Sequence, residues 1–440
     1  MRRIFRANML FVCMLSTAIL GGPAHAGETV KLTLEQAIAQ AMKTNYSVLV
    51  ARERLSKLEA TIGEARSGAF PQLAGSASYT RNVKKPDMFI NETRVQIGYN
   101  NVVMAGLDFT QPLYAAGKVG KALKAAKSET MSAEAQLKDV REEIELQVKK
   151  TFYQVLLADR TIEITKKTLE QLEHQLSMIN ARYDKGLESD YTLMRQEVQV
   201  SNIQPELSAA EKAKIILMNA FRDLLGFPKD MDVSLDGALA YAGRDIPPKE
   251  KLVEIALSKR QDIAAADAHL KSLKYFVGIE KGGYLPTLNF VSSLDWQAQS
   301  DDFTIEKKER AYAVAVGLQV SWPIFDGLKT HYRVREANSE LKIATTQDLQ
   351  LKANVASDVI NTRATYDEAV KRESSQKKAL GLAQKAVDIA TVRFREGLMS
   401  QLELNDTILQ RDQSDKLYAQ AVYDCLEAEA NIVRVVGGSL

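Results

Sequence analysis

The sequence has little cysteine, and its mature form is expected to lack an intrachain disulfide. It contains two cysteines among 440 residues, Cys13 and Cys425. Cys13 lies in an N-terminal apolar run that we expect to be removed, so one thiol remains for an oxidising compartment. Cys425 has no adjacent base in the sequence, and we expect it to be buried in the core.

Histidine is scarce and scattered, which argues against catalysis and metal binding. Of four histidines, His174, His269 and His331 lie beyond the N-terminal run, and none has the spacing of a zinc site. The glycine cluster Gly117–Lys121 lacks the Ser or Thr of a phosphate-binding loop, and no serine nucleophile elbow is evident. The sequence therefore predicts no catalytic residue, cofactor or metal site, and no enzyme.

Neither sign of charge dominates. There are 58 basic and 56 acidic residues, and loss of three N-terminal arginines leaves 55 against 56. Nucleic acid is not an expected partner, because binding it requires a clustered basic surface. After the N-terminal segment no long apolar run occurs, so no transmembrane helix is predicted.

The first 26 residues have the pattern of a secretory signal peptide. Three arginines precede the apolar run Met9–Leu20, and Ala24 and Ala26 supply small residues for cleavage, which we predict after about Ala26. A membrane anchor is disfavoured because the run is shorter than the roughly 20 residues that span a bilayer. A lipoprotein signal at Cys13 is disfavoured by the bulky Val12 before it.

The remainder of the chain is an internal duplication. Three motif pairs are separated by 211 residues: Pro112-Leu113-Tyr114 and Pro323-Ile324-Phe325, Arg182–Leu187 and Arg393–Leu398, Leu225-Gly226 and Val436-Gly437. A fourth pair, Phe70–Leu73 and Leu285–Leu288, is separated by 215. A constant spacing means that the elements between the motifs have matched lengths. We predict a first repeat over 27–226, a connector over 227–248 rich in proline and glycine, and a second repeat over 249–440.

Each repeat carries a long helical hairpin. In the first, an amphipathic helix from Leu34 to Ala65 is followed later by a helix from Val119 to Tyr183, about 100 Å long at 1.5 Å per residue. Gly186 ends it, a helix from Tyr191 to Leu225 returns, and Pro205 predicts a kink or local break there. The second hairpin turns at Gly397. The expected seam of the first long helix is Leu137, Ile144, Val148, Thr151, Val155, Ala158, Ile162, Leu169, Leu172, Leu176, Ile179 and Tyr183.

Four segments alternate with the period of a β-strand. The clearest places Tyr312, Val314, Val316, Leu318, Val320 and Trp322 on one face, opposite small or polar residues. Strands of about ten residues that alternate in this way are typical of transmembrane barrels, although ordinary surface hairpins give the same pattern. Four strands cannot close a barrel, since roughly eight are the minimum. Oligomerisation is therefore expected.

Several of these segments together resemble the outer membrane efflux family. They are Leu32–Ala37 leading to Asn45, Arg260-Gln261-Asp262 opening the second repeat, Leu285–Leu288 after a helix, and the two hairpin motifs. The resemblance spans the mature chain. It implies a mainly α fold with a β-barrel contribution: a homotrimer whose long coiled-coil hairpins form an α-barrel in the periplasm and whose strands complete a 12-stranded barrel in the outer membrane.

The resemblance also implies a function and a set of site residues. The protein is expected to be the passive exit channel of a tripartite efflux or type I secretion system, with a periplasmic adaptor, an RND, ABC or MFS inner-membrane pump and outer-membrane lipid as partners. The hairpin tips would dock the adaptor through Arg182, Tyr183, Gly186, Leu187, Arg393, Phe394, Gly397 and Leu398. Glu403 and Asp406 would form an acidic ring at the pore entrance, which attracts cations.

The gate departs from the family's best-known pattern. Phe394 stands for a tyrosine, Met399 for an arginine and Thr192 for an aspartate, so we expect packing rather than a polar latch to hold the closed state. Two other classes stay open, a periplasmic adaptor and a structural coiled-coil protein of the envelope. No residue pattern identifies the cargo, and small molecules are favoured over metals or polypeptide.

Overall fold

Long helices make up most of the computed structural model, which describes residues 30–90, 93–303, 306 and 309–438. The expected signal peptide and its cleavage site lie outside the described residues. The helices are α1 (Leu34–Thr44), α2 (Tyr46–Ser67), α3 (Lys118–Tyr183), α4 (Asp190–Leu225), α5 (Lys249–Lys259), α6 (Gln261–Lys281), α7 (Lys329–Arg395) and α8 (Gln401–Val435). The strands are β1 (Val30–Leu32), β2 (Gln72–Arg81), β3 (Asp87–Ile90), β4 (Thr93–Gln96), β5 (Asn101–Tyr114), β6 (Val233–Leu235), β7 (Thr287–Ser300) and β8 (Arg310–Ser321).

The central sheet has four antiparallel strands in the order β2-β5-β7-β8. Gln72 pairs with Thr110 between β2 and β5, and Thr287 pairs with Ser321 between β7 and β8. These pairs are separated by the spacings found in the sequence, 215 and 211 residues. Strands β5 and β7 join the two repeats. The duplication predicted from the sequence is confirmed in the strand register.

One face of this sheet is apolar and exposed. The side chains of Tyr312, Val314, Val316, Leu318, Val320 and Trp322 are between 61% and 79% exposed. The alternation expected for this strand is therefore present, and most of its apolar side is open to solvent in the described chain, although the Trp322 indole N–H donates to the Tyr284 carbonyl at 3.2 Å. Such a continuous apolar surface is unusual for a soluble monomer and indicates contact with lipid or another protein.

The two hairpins have nearly equal lengths. Helix α3 has 66 residues and α7 has 67, which corresponds to about 100 Å each. Helices α4 and α8 return over 36 and 35 residues. The predicted helix ends at Val119 and Tyr191 are each one residue from the observed ends. Contacts between α3 and α8 join the hairpins side by side.

The first predicted helix is interrupted at Asn45, contrary to expectation. Asn45 has extended backbone angles, φ −63° and ψ 129°, and its side chain accepts a hydrogen bond from the Ser47 N–H at 2.9 Å. Its amide also donates to the Leu224 carbonyl at 2.9 Å. Arg260 occupies the matching break between α5 and α6, and its guanidinium reaches the Val435 carbonyl at 3.5 Å. The sequence did not reveal either break, because the apolar periodicity continues across it and the partner carbonyl lies far along the chain.

Helix α4 runs through Pro205 without a local break. Proline removes one hydrogen bond to the carbonyl four residues earlier, here that of Ser201. Both residues are exposed, so water can satisfy that carbonyl. The local break predicted from Pro205 is therefore absent, and the kink that was its alternative stays a prediction.

Each repeat has its own core near the middle of the helices. The first core centres on Val148, Phe152 and Phe221. The second includes Tyr366 and Cys425, whose thiol is fully buried, as expected.

The segment between the repeats crosses both long helices. Strand β6 pairs in parallel with β1, and Gly237 lies so close to Phe152 of α3 that a Cβ there would be 3.1 Å from its ring. The Tyr241 and Tyr366 hydroxyls are 2.6 Å apart, and Arg363 of α7 donates to the Ile246 carbonyl at 2.8 Å. This segment therefore ties the two hairpins together.

Candidate functional site

The two hairpin tips have the same backbone turn. In the first, the Leu187 N–H donates to the Arg182 carbonyl at 2.9 Å, and in the second the Leu398 N–H donates to the Arg393 carbonyl at 2.8 Å. Gly186 and Gly397 have φ of +70° and +71°, a region that favours glycine. The turn therefore requires glycine for its backbone and not for space.

Apolar side chains project from both turns. Leu187 is 65% exposed and Leu398 is 71% exposed. Tyr183 is also exposed, and the exposed Arg182 forms an ion pair with the half-buried Glu188 at 3.5 Å. Two solvated leucines beside arginines at the ends of the longest helices form a surface suited to a partner protein.

The residues expected to gate the channel are divided between the tips. Phe394 and Met399 flank Gly397 in the second tip, and both are half-buried. Thr192 lies in the first turn of α4, where its N–H and hydroxyl bond to the Ser189 hydroxyl at 3.2 and 2.9 Å. Thr192 is therefore engaged locally as part of a helix cap.

The carboxylate of Glu403 is held at the N-terminus of α8. The Ser400 N–H and hydroxyl each donate to Glu403 Oε2 at 2.9 Å, and the Glu403 N–H donates back to the hydroxyl. These two bonds to the carboxylate, aided by the positive charge of Arg393, hold the pKa of Glu403 below its usual value. Asp406 is exposed one turn further along the same face. Glu403 thus keeps its charge while serving as a cap.

A buried polar network near the tips was not anticipated from the sequence. Asn405 donates its amide to Gln196 Oε1 at 2.9 Å, and Gln196 donates its own amide to the Leu172 carbonyl at 3.0 Å. Gln401 donates to Asn405 Oδ1 at 2.9 Å. The network connects α8, α4 and α3, so it couples the two hairpins close to their ends.

The same polarity continues along α3. Thr168 donates to Asp412 Oδ2 at 2.6 Å, and both are buried. The observed seam of α3 therefore runs through Thr165, Thr168, Leu172, Gln175 and Ile179. Of the expected seam, Tyr183 is exposed and five residues are only half-buried: Thr151, Ala158, Ile162, Leu169 and Leu176. An apolar pattern alone could not locate polar seam positions. The spacing of seven between Asn405, Asp412 and the buried Ala419 is the signal that could have shown them.

The polar face of the sheet carries acidic but no basic side chains. The strand register places Asp108, Ser293 and Asp295 on this face, and the Ser293 hydroxyl donates to Asp295 at 2.9 Å. Lysine and arginine are absent from this face of β2, β5, β7 and β8. An enclosed aqueous space next to this face would hold a negative potential.

The described residues contain neither a membrane-spanning helix nor a metal-binding cluster. No helix in this part of the chain is both long and apolar enough to cross a membrane. No group of three or more histidine, cysteine, aspartate or glutamate side chains within the described ranges could hold a metal ion.

The family model for outer membrane efflux proteins matches residues 37–227 and again residues 252–438. The chain therefore belongs to the outer membrane efflux protein family. It is an efflux channel of the outer membrane and not an enzyme. The double match also follows the internal duplication.

Individual relatives are distant but cover nearly the whole chain. The cobalt-zinc-cadmium resistance protein CzcC of Cupriavidus metallidurans is 24% identical over 99% of this chain and 100% of its own length. The outer membrane protein TolC of Vibrio cholerae is 21% identical over 88% of this chain and 86% of its own.

Solved structures show the same fold. The outer-membrane channel OprN superimposes with a TM-score of 0.76 at 21% identity, over 92% of this chain and 90% of its own. The Campylobacter jejuni CmeC channel gives 0.75 at 18% identity, over 98% and 94%.

Proposed function

We propose that the mature protein, residues 27–440, is a homotrimeric exit duct that carries small molecules across the outer membrane. The observation that carries the trimer is the four-stranded sheet, which among the described residues has two unpaired edges, β2 and β8, and an apolar exposed face. Three such sheets supply twelve strands, enough to close a barrel, for which roughly eight are the minimum. Lipid would cover the apolar face, and the polar face would line the pore.

The helices would continue this duct into the periplasm. Three copies of α3, α4, α7 and α8 supply twelve helical segments around one axis. A helix of about 100 Å is long enough to reach toward an inner-membrane partner. The two repeats, 27–226 and 249–440, would form alternate staves of this tunnel, held from outside by the connector 227–248.

The tips are proposed to dock a periplasmic adaptor that links the duct to an RND, ABC or MFS pump. The exposed Leu187 and Leu398, with Arg182 and Arg393 beside them, supply an apolar anchor and positive charge at each tip. Both tips share one turn geometry. A single type of adaptor hairpin could therefore bind to either tip.

The pore entrance is proposed to be negative. One Glu403 and one Asp406 from each of three protomers would place six carboxylates around the axis. The lowered pKa of Glu403 keeps its share of this charge in acidic surroundings. Phe394 and Met399 are proposed to narrow the same region by packing, with Thr192 at the adjoining tip.

Small-molecule cargo is favoured by the names of relatives that have similar coverage. One is called a solvent efflux pump outer membrane protein in Pseudomonas putida, and CzcC is named for cobalt, zinc and cadmium resistance. The described residues offer no metal-binding cluster, so they give no support to a metal-handling duct.

The deciding experiment combines mass and conductance. The mature protein, extracted in detergent, is expected to have the mass of three chains and to give small, cation-selective channels in a planar bilayer. A water-soluble monomer without channels would contradict the proposal and favour an adaptor or a structural coiled-coil protein.

A further inference from the structure

Because the chain is duplicated, the contact between its two repeats, taken as a template, can be compared with a second pair of surfaces that carries the corresponding residues. Within the protomer, the first repeat packs on the second through α3 against α6 and through β5 against β7. Moving 211 residues along the chain converts α3 and β5 into α7 and β8, and moving back 215 residues converts α6 and β7 into α2 and β2. Strands β2 and β8 are the two edges of the sheet, and helices α2 and α7 are the outer members of the row α2-α3-α6-α7.

Three polar contacts define the template between the helices, and two of them lie close together on α3. His269 Nδ1 lies 2.9 Å from Glu129 Oε1. The Ser132 hydroxyl donates to the Ala265 carbonyl at 2.9 Å. Both contacts occur where α3 crosses α6.

The counterparts of these residues are exposed and complementary. Glu129 corresponds to Glu340 and His269 to Arg54, which are exposed and make no ion pair within the described part of the chain. Their charges are opposite. Arginine is charged at every relevant pH, so this pair would be the stronger version of the histidine–glutamate contact.

The second contact becomes apolar in the copy. Ser132 corresponds to Ile343 and Ala265 to Val50, which are 51% and 52% exposed. Large aliphatic side chains that are about half exposed to solvent in the single chain are expected at the core of an interface between subunits.

A third contact concerns a glycine retained in both repeats. Lys121 of α3 donates to the Gly278 carbonyl at 2.7 Å and covers that glycine so closely that a Cβ would lie 2.9 Å from its side chain. The counterparts are Tyr332, which is 57% exposed, and Gly63, which has nothing within 4 Å of a Cβ position. The glycine is therefore kept as Gly63, but Tyr332, the counterpart of the side chain that covers Gly278, lies on α7, at the opposite end of the row of helices.

We infer that α7 of one protomer packs on α2 of the next copy of this chain in the way that α3 packs on α6, with Glu340 paired to Arg54, Ile343 against Val50, and Tyr332 over Gly63. This inference rests on the proposed trimer and specifies how it closes. A head-to-tail interface gives a ring when its repeated rotation closes and an open filament when it does not. Two repeats in each of three chains give six similar steps.

The same transformation fixes the strand register between protomers. Asp108 of β5 pairs with Ser293 of β7. Their counterparts are Gln319 in β8 and Ser78 in β2, so Gln319 lies opposite Ser78 of the next protomer. Opposed residues in an antiparallel pair have Cα atoms about 4.5–5.5 Å apart, which suits a disulfide.

Cysteine crosslinking tests the register. Ser78→Cys with Gln319→Cys in one chain should give covalent dimers and trimers under mild oxidation, resolved on non-reducing gels. The matched control, Thr80→Cys with Gln319→Cys, places the thiol on the same face two residues away and should crosslink far less. If the trimer forms and conducts but the control links as well as the predicted pair, the register is wrong and the duct stands. A monomeric protein without channels would instead remove the proposed function itself.

A charge exchange tests the helix contact independently of any disulfide. Glu340→Arg and Arg54→Glu should each lower the temperature at which the trimer dissociates in detergent, because each places like charges together. The double exchange should restore most of the loss. Additive losses in the double variant would overturn the Glu340–Arg54 pairing, while correct crosslinking would still support the strand register.

Discussion

Asn405 on α8 donates its side-chain amide to Gln196 on α4 at 2.9 Å, and both residues are 3% exposed. This bond ties the second hairpin to the first near the proposed entrance. Separation of the tips would require it to break in a place where water has little access. A buried acceptor left without a donor costs about 1–3 kcal/mol.

Asn405→Ala is therefore expected to loosen the tips and raise the resting conductance in planar bilayers. Gln401→Ala is the matched control, since Gln401 bonds to the same Asn405 but is itself partly exposed, and water can replace its contribution. Equal conductance in Asn405→Ala and in the unmodified protein would show that this network does not restrain the tips.

Removing the aromatic ring of Phe394 should also raise the resting conductance. The side chain is half-buried beside the turn at Gly397, where packing is proposed to hold the closed state. Leu398→Ala serves as the control, because Leu398 is 71% exposed and should affect adaptor binding instead. Unchanged conductance in Phe394→Ala, measured in the same bilayers, would exclude it from the gate.

Two glycines with similar backbone angles should respond differently to alanine. Gly226 has φ +66°, and a Cβ there would lie 2.9 Å from the Thr44 carbonyl, whereas Gly186 has φ +70° and open space. Gly186→Ala should cost about 1–2 kcal/mol from backbone strain alone. Gly226→Ala adds a collision with backbone and should cost clearly more, measured as a larger fall in the thermal unfolding midpoint by circular dichroism. Equal falls in the unfolding midpoint for the two variants would mean that the backbone at the junction of α4 and α1 shifts to accommodate the added Cβ at little cost.

The cation selectivity should persist into acid. Hydrogen bonds from Ser400 lower the pKa of Glu403 in the folded protein. The ionised carboxylate therefore stabilises the fold at any pH above its pKa in the unfolded chain. This stabilisation is lost as the pH falls through the pKa of Glu403 in the folded protein, which is the lower of the two. Ser400→Ala should move the loss of selectivity to higher pH, as followed by reversal potentials under a salt gradient.

Neutralisation separates two sources of this selectivity. Glu403→Gln with Asp406→Asn should reduce it strongly while an amide at 403 can still cap α8. If selectivity survives that change but falls in Asp295→Asn, the polar face of the sheet determines it instead.

Cys425 should be inert in the folded protein. Its thiol is fully buried, and burial raises its pKa to about 11. A maleimide should therefore label the mature protein only after denaturation. Rapid labelling of the native trimer would show that the core of the second repeat opens to solvent.

The sequence by itself determined the repeated plan, the lengths of the hairpins, the four alternating strands and the turn glycines. These features depend on period, spacing and local backbone conformation, which neighbouring residues encode. The same reasoning placed Arg182–Leu187 and Arg393–Leu398 at the tips. Their roles in docking and gating, and that of Glu403 and Asp406 at the entrance, stay predictions.

Tertiary structure alone decided three other features. Asn45 breaks the first helix because its side-chain amide donates to the carbonyl of Leu224, which lies far along the chain. Helix α3 buries Thr168 in its seam because α8 brings the Asp412 carboxylate to it, and an apolar pattern has no means of marking such a position. The strand register, finally, was visible only once β5 and β7 were paired, since alternation tells which face a residue occupies and not which residue lies opposite it.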